Sequence, residues 1–169
     1  NSIEYWHVSD TEELFVDNLK KYPNSKHLQK YLKNPIEYKY NNYGFRTSDN
    51  FDLSGVGNVY LGCSHTFGIG HYLENTWSYK LSQKIGGKFY NISEPGSGIM
   101  TQYRYLKHFA PKINFKNVFH FLPEESWMRY EYFLNDNFDF LHTSEGHPIF
   151  EKYKDFILDV LYEEAQFMQ

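Results

Sequence analysis

The sequence predicts an α/β domain on a parallel sheet, entered through a helical N-terminal flank. Two observations carry this. From residue 58 onward the short apolar runs "NVYLG", "KFYNI" and "KNVFHFLP" alternate with amphipathic stretches, and strands separated by helices of roughly ten residues or more pair in parallel through right-handed crossovers. The 169 residues are 41% hydrophobic and 22% charged, which is enough apolar matter for one core without covalent staples.

In the flank, "SDTEELFVDNLKKY" sets Ser9 and Glu12 at capping-box spacing, with Leu14, Phe15, Asn18 and Leu19 on one helical face. This predicts a helix from Thr11 to Lys21, stopped by Pro23. "SKHLQKYLKN" repeats the pattern with Leu28, Tyr31 and Leu32 before Pro35, and "IEYKYNNYGFRTSDNFD" reads as extended chain and turn. Residues 1–55 therefore form the flank and 56–169 the α/β domain.

Within that domain, "NTWSYKLSQKIGG" spaces Trp77, Leu81 and Ile85 four apart and stops at Gly86 and Gly87. "GIMTQYRYLKHFAP" sets Ile99, Met100, Tyr103, Leu106 and Phe109 on one predicted face, and the third strand runs to Pro123. "HPIFEKYKDFILDVLYEEA" predicts a further helix, with Pro148 in its first turn and Phe150, Tyr153, Ile157, Val160 and Leu161 turned inward.

Composition excludes several function classes. The net charge of -4 is spread without a basic block, which argues against binding a phosphate backbone. Cys63 is the only cysteine, so an intramolecular disulfide and a multi-cysteine zinc site are both ruled out. No apolar run approaches the roughly 18 residues of a membrane span, and no charged-then-apolar leader opens the chain. A cytoplasmic location is the expectation, with a removed leader left open because the chain begins at Asn1. The surplus of Tyr, Phe, Asn and Lys is what AT-rich codons give and carries no function by itself.

In an open parallel sheet, ligands bind outside the carboxyl ends of the strands. Three loops occupy that edge: "GCSHTFGIG", "SEPGSG" and "LPEESW". A serine on a strand-to-helix turn can project its hydroxyl into the cleft beside backbone N–H groups, as acyl transfer requires, although glycines and serine are also ordinary turn punctuation. His65 and His71 lack a third metal ligand near in sequence, so no metal is expected. The adjacent Glu124 and Glu125 offer two carboxylates, as glycoside hydrolysis uses, but neighbours in sequence are expected to point in different directions, as a solvated pair.

Taken together, "NVYLGCSHTFGIG", "ENTWSYKLSQKIG" and "FYNISEPGSGIMTQ" resemble the SGNH/GDSL hydrolase family, and the lead-in "YKYNNYGFRTSD" is similar to the flank of many of its bacterial and phage members. The resemblance covers about residues 36 to 122 and rests on motif order and spacing. It implies a flavodoxin-like three-layer sandwich of SGNH type. Gly62, Cys63 and Ser64 match the Gly-Asp-Ser block, which makes Ser64 the nucleophile, and Gly96 matches the oxyanion-hole glycine, so the Ser64 and Gly96 amides would hold the oxyanion. Cys63 stands where the family has aspartate. The third block, "HFLPEESWMR", lacks the family's oxyanion asparagine. "SEGHPIFEKYKDF" resembles the Asp-x-x-His block with His147 and Pro148 in register, but Ser144 stands in the aspartate's place and Glu145 is the nearest carboxylate. The base is then His147, or a histidine beyond Gln169 in a longer parent chain. A rival nucleophile is Cys63, whose thiolate would lie beside His65.

The expected activity is hydrolysis of a small acyl ester on a carbohydrate or lipid, with no metal or organic cofactor and a small-molecule ester as partner. The alternative, from a different class, is a non-catalytic binding or interaction module that keeps the sheet and cleft but has lost the Asp and Asn of the active site. Unused sheet edges would favour a homodimer.

Overall fold

The structure, a computed structural model, describes residues 2–6, 12–47, 51–122, 131–133, 140–142 and 155. The order is β1 (Ser2–Trp6), α1 (Glu12–Lys21), α2 (Lys26–Lys33), β2 (Ile36–Tyr40), β3 (Val56–Leu61), α3 (Ser64–Phe67), a 3₁₀ turn (Leu73–Asn75), α4 (Trp77–Ile85), β4 (Lys88–Asn91), α5 (Ile99–Phe109), β5 (Asn114–His120), β6 (Glu131–Phe133) and β7 (Phe140–His142). The protein is mixed α/β, and β3 is the centre of a parallel sheet ordered β4-β3-β5. Val59 sits opposite Tyr90 on one side and Val118 on the other, with a register shift between Gly57 and Asn58.

Alternation along β3 divides the core. Val59 and Leu61 pack with Tyr90, Ile92, Phe109 and Ile113 on the face covered by α5. Tyr60 turns the other way, with Phe89 and Phe119 at ring-centroid distances of 5.0 and 5.5 Å and Trp77 of α4 at 6.0 Å. Helices on both faces are what right-handed crossovers in opposite directions produce. They leave β3 buried from Gly57 to Leu61, as a doubly covered strand must be. This three-stranded arrangement is compatible with a flavodoxin-like fold.

The flank is not a separate layer of loops. Phe15, Leu28, Tyr31, Ile36 and Tyr38 form a cluster with Phe67 of α3, and Phe45 joins the core of the parallel sheet. Both predicted flank helices are present. β1, which pairs antiparallel with β2 from Ser2↔Tyr40 to Trp6↔Ile36, went unread because five residues at a chain end carry too little pattern. The antiparallel pair β6 and β7 was likewise unpredicted. The predicted helix after Pro148 falls outside the described residues, Asp155 excepted.

Two helix faces differ from the sequence reading. On α5, Met100 and Tyr103 are 52% and 57% exposed, whereas Thr101 and Gln102 are buried. The inward arc runs through Gln102, Tyr105, Leu106 and Phe109, at the i, i+3, i+4, i+7 spacing of one helical stripe, and a polar residue heads it because it has polar partners there. On α4 the most buried residues are Ser78 and Ser82, while Ile85 is 45% exposed. Their hydroxyls are satisfied by the Thr66 and Tyr79 carbonyls at 3.3 and 2.7 Å, so small side chains face the sheet without leaving an orphan donor. Leu14 and Leu32, expected on inward faces, are 49% and 51% exposed.

Candidate functional site

Where β3 ends, the chain must turn sharply into α3. Gly62 makes that turn at φ +154°, and a Cβ there would lie 2.0 Å from Thr66 Oγ1. Thr66 needs this space because its hydroxyl donates to the Leu61 carbonyl at 3.2 Å. Ser64 is the first residue of α3, and Gly68 closes the turn in the left-handed region at φ +81°, its N–H donating to the Ser64 carbonyl at 2.8 Å. Ser64 is half-buried and Cys63 is buried. The Ser64 hydroxyl meets Cys63 Sγ at 4.0 Å, a weak contact that leaves it available.

The second loop is a β-turn, Glu94-Pro95-Gly96-Ser97, with Ser97 N–H donating to the Glu94 carbonyl at 3.2 Å and Gly96 at φ +81°. Proline followed by a positive-φ glycine is the type II signature. Two bonds lock this turn to the serine loop: Glu94 N–H and Ser97 Oγ–H both donate to the Gly62 carbonyl at 3.3 Å. The structure therefore brings together the loops of Ser64 and Gly96 at the carboxyl edge of adjacent parallel strands. β5 closes the other side, where Phe121 N–H donates to the Leu61 carbonyl at 3.0 Å.

His65 lies on α3 with its ring 5.6 Å from that of Phe121, and His71 contributes only a backbone carbonyl to the contacts described below. Among the described residues no imidazole is hydrogen-bonded to the Ser64 hydroxyl, and no group of three His, Cys, Asp or Glu is arranged to hold a metal. His147, Glu145, Ser144, Glu124 and Glu125 lie outside the described residues.

Three features escaped the sequence reading. The first is Arg46, 1% exposed. Its Nη1 donates to the Phe67 and Gly68 carbonyls at 3.0 and 2.7 Å, and its Nη2 to those of Glu37 and His71 at 3.3 and 2.7 Å. It stacks 4.1 Å from the Tyr38 ring centre. The flank thereby holds the carboxyl end of the helical turn that begins at Ser64, satisfying carbonyls that so short a helix cannot satisfy itself. Burial pushes the guanidinium down to about 10, which leaves it charged at neutral pH. A lone arginine inside the aromatic run "YGFRT" was the available signal.

The second feature is a polar chain beneath the loops. Gln102, fully buried, donates through Nε2 to Ser97 Oγ at 3.1 Å and to the Ser97 carbonyl at 3.3 Å, while its Oε1 meets His120 Nε2. With the amide nitrogen used on Ser97, Oε1 must accept, so His120 carries its proton on Nε2. Desolvation holds His120 below the ordinary imidazole range, consistent with a neutral ring.

The third is a cavity of about 760 Å³ beside the serine loop. Its aromatic walls are Tyr40, Tyr43 and Phe45 from the flank, Phe67 from α3, and Tyr105 and Phe109 from α5, and the turn residues Ser93 to Pro95 reach its edge. Ser64 does not itself line it. Phe67, three residues along the same helical turn, does. Glu94 accepts a hydrogen bond from the Tyr105 hydroxyl. The Tyr40 hydroxyl donates to Glu4 Oε2 at 3.2 Å, and burial together with that carboxylate pushes its phenol up to about 12.

No helix among the described residues is long and apolar enough to cross a membrane. Comparison with family models, with curated proteins and with solved structures gives no match.

Proposed function

We propose that this protein is a serine ester hydrolase of the SGNH type. One observation carries the reading: Ser64 follows the central strand two residues after Gly62, and the Gly62 carbonyl accepts from both Glu94 N–H and Ser97 Oγ of the turn that carries Gly96, which holds the two loops side by side. A nucleophile and an oxyanion donor held on two loops with a common anchor is the constellation acyl transfer needs. Ser64 Oγ attacks the ester carbonyl as His147 takes its proton, and the Ser64 and Gly96 amides stabilise the oxyanion. The bond to the alcohol then breaks, with the alcohol leaving protonated by the imidazolium. Water, deprotonated by the same base, cleaves the acyl-serine and releases the acid.

The test is covalent labelling. A fluorophosphonate probe should modify the protein once, and Ser64→Ala should abolish labelling while keeping the unfolding midpoint unchanged. Activity that survives Ser64→Ala but is lost to iodoacetamide would transfer the role to Cys63. The second reading, a binding module on the same scaffold, is favoured by the sulfur rather than carboxylate beside the Ser64 hydroxyl. Absence of labelling and of 4-nitrophenyl ester hydrolysis would select it.

A further inference from the structure

We infer that the 760 Å³ cavity is an aromatic-ring site, and that the ester's acyl group is an arylalkanoyl of the 3-phenylpropanoyl kind. The identity of the acyl group rests on the ester hydrolase reading; the ring site does not. The volume lies in the range that encloses a drug-sized ligand. An acetyl group would leave nearly all of it to water.

The walls choose among larger occupants. Six of the twelve lining residues are Phe or Tyr, whereas aromatic residues make up 20% of the chain. No Leu, Ile, Val or Met is among the twelve, so composition alone does not account for the lining. The rings are set edge to face: Phe45 against Tyr105 at 5.3 Å and 83°, Tyr43 against Phe109 at 5.3 Å and 89°. An arrangement of this kind offers a guest ring both edges and faces, the geometry in which aromatic pairs gain beyond area burial. Ser93, Glu94, Arg104 and His108 also line it, but Glu94 is engaged by the Tyr105 hydroxyl and the Tyr40 hydroxyl by Glu4, so the polar lining serves the carbonyl tail of a ring better than the many hydroxyls of a sugar.

The position sets the spacer. Phe67 and Ser64 are three apart on one helical turn, so their Cβ atoms are about 5–6 Å apart, and Glu94 belongs both to the cavity edge and to the turn locked on Gly62. Because Ser64 does not itself line the cavity, a ring seated there with its carbonyl at Ser64 needs a short alkyl link between them, such as the two carbons of 3-phenylpropanoyl. A benzoyl group would be too short.

Calorimetry with 3-phenylpropanamide, which an esterase does not consume, tests the site directly. Saturable binding is expected, with a Kd in Ser64→Ala within threefold of wild type and octanamide at least tenfold weaker. His108→Trp, which places a large ring at the exposed α5 rim of the cavity, should weaken binding at least tenfold. If that variant does not fold, Tyr43→Ala, which removes one exposed wall, should weaken it at least threefold. No saturable binding, octanamide binding as tightly, or indifference to a folded rim or wall variant would each overturn the ring site. Hydrolysis of 4-nitrophenyl 3-phenylpropanoate, expected to exceed the acetate and benzoate esters at least tenfold in kcat/KM, reads the acyl group separately. An equal or reversed preference overturns the acyl assignment, whereas intact binding with no hydrolysis of any ester overturns the ester hydrolase reading and leaves the ring site standing.

Discussion

Replacing Arg46 by lysine isolates the contribution of guanidinium geometry at constant charge. The arginine serves four backbone carbonyls from two nitrogens, at 2.7, 2.7, 3.0 and 3.3 Å. These carbonyls come from three places: Glu37 on β2, the end of α3, and His71. An ammonium is a single point with three donors and cannot span that set. If lysine keeps two of the four, the other two lose their donor in the interior, at roughly 1–3 kcal/mol each. Part of the stacking on Tyr38, at 4.1 Å, is lost as well, on the order of 1 kcal/mol. The burial cost is not relieved, because lysine would be desolvated at the same place. The expected loss is about 3 kcal/mol, read as a lower urea midpoint at unchanged slope. A loss below about 0.5 kcal/mol, the ordinary surface value, would refute the argument that the fork geometry, rather than a positive charge, binds the flank to α3.

Gly62→Ala should destabilise by about 2 kcal/mol or more, since the new methyl meets Thr66 Oγ1 at 2.0 Å on a backbone at φ +154°. Gly86→Ala, at φ +71° and ψ −178° with open space around it, should cost only the penalty of a backbone region nearly confined to glycine, on the order of 1–3 kcal/mol, and a loss at Gly62 no larger than at Gly86 in urea unfolding would remove the steric argument. Tyr60→Phe should be neutral or stabilising by up to about 1 kcal/mol: the buried hydroxyl has no hydrogen-bond partner among the described residues and burial pushes it up to about 12. A clear loss in thermal midpoint would reveal a partner. His120 is held below its ordinary range by desolvation, so the folded state favours the neutral ring while the unfolded chain takes up a proton near pH 6.5. The corresponding stability is present above about pH 6.5 and falls as pH drops toward the lower folded value. His120→Gln should flatten the decline in thermal midpoint between about pH 7.5 and 5, and an unchanged slope would assign that decline to other groups.

The alternation from β3 to β5 was legible in the sequence because its causes are local. Apolar runs of four to six residues, a helix stop at Gly86 and the Pro95-Gly96 turn each act within one or two turns of chain. The loops bearing Ser64 and Gly96 could be read for the same reason. Tertiary structure decided the rest. Met100, expected on the inward face of its helix, is exposed and Gln102 is buried instead, since Gln102 answers polar groups supplied by Ser97 and by His120, 18 residues away on β5. Arg46 is buried because four carbonyls from distant segments converge on it, the farthest 25 residues along the chain. The cavity draws its walls from the flank, α3, the turn after β4 and α5, none of which encloses a volume alone. Hydrophobic period reports which residues prefer to leave water; which of them do, and which polar groups accompany them, depends on partners that only the folded chain assembles.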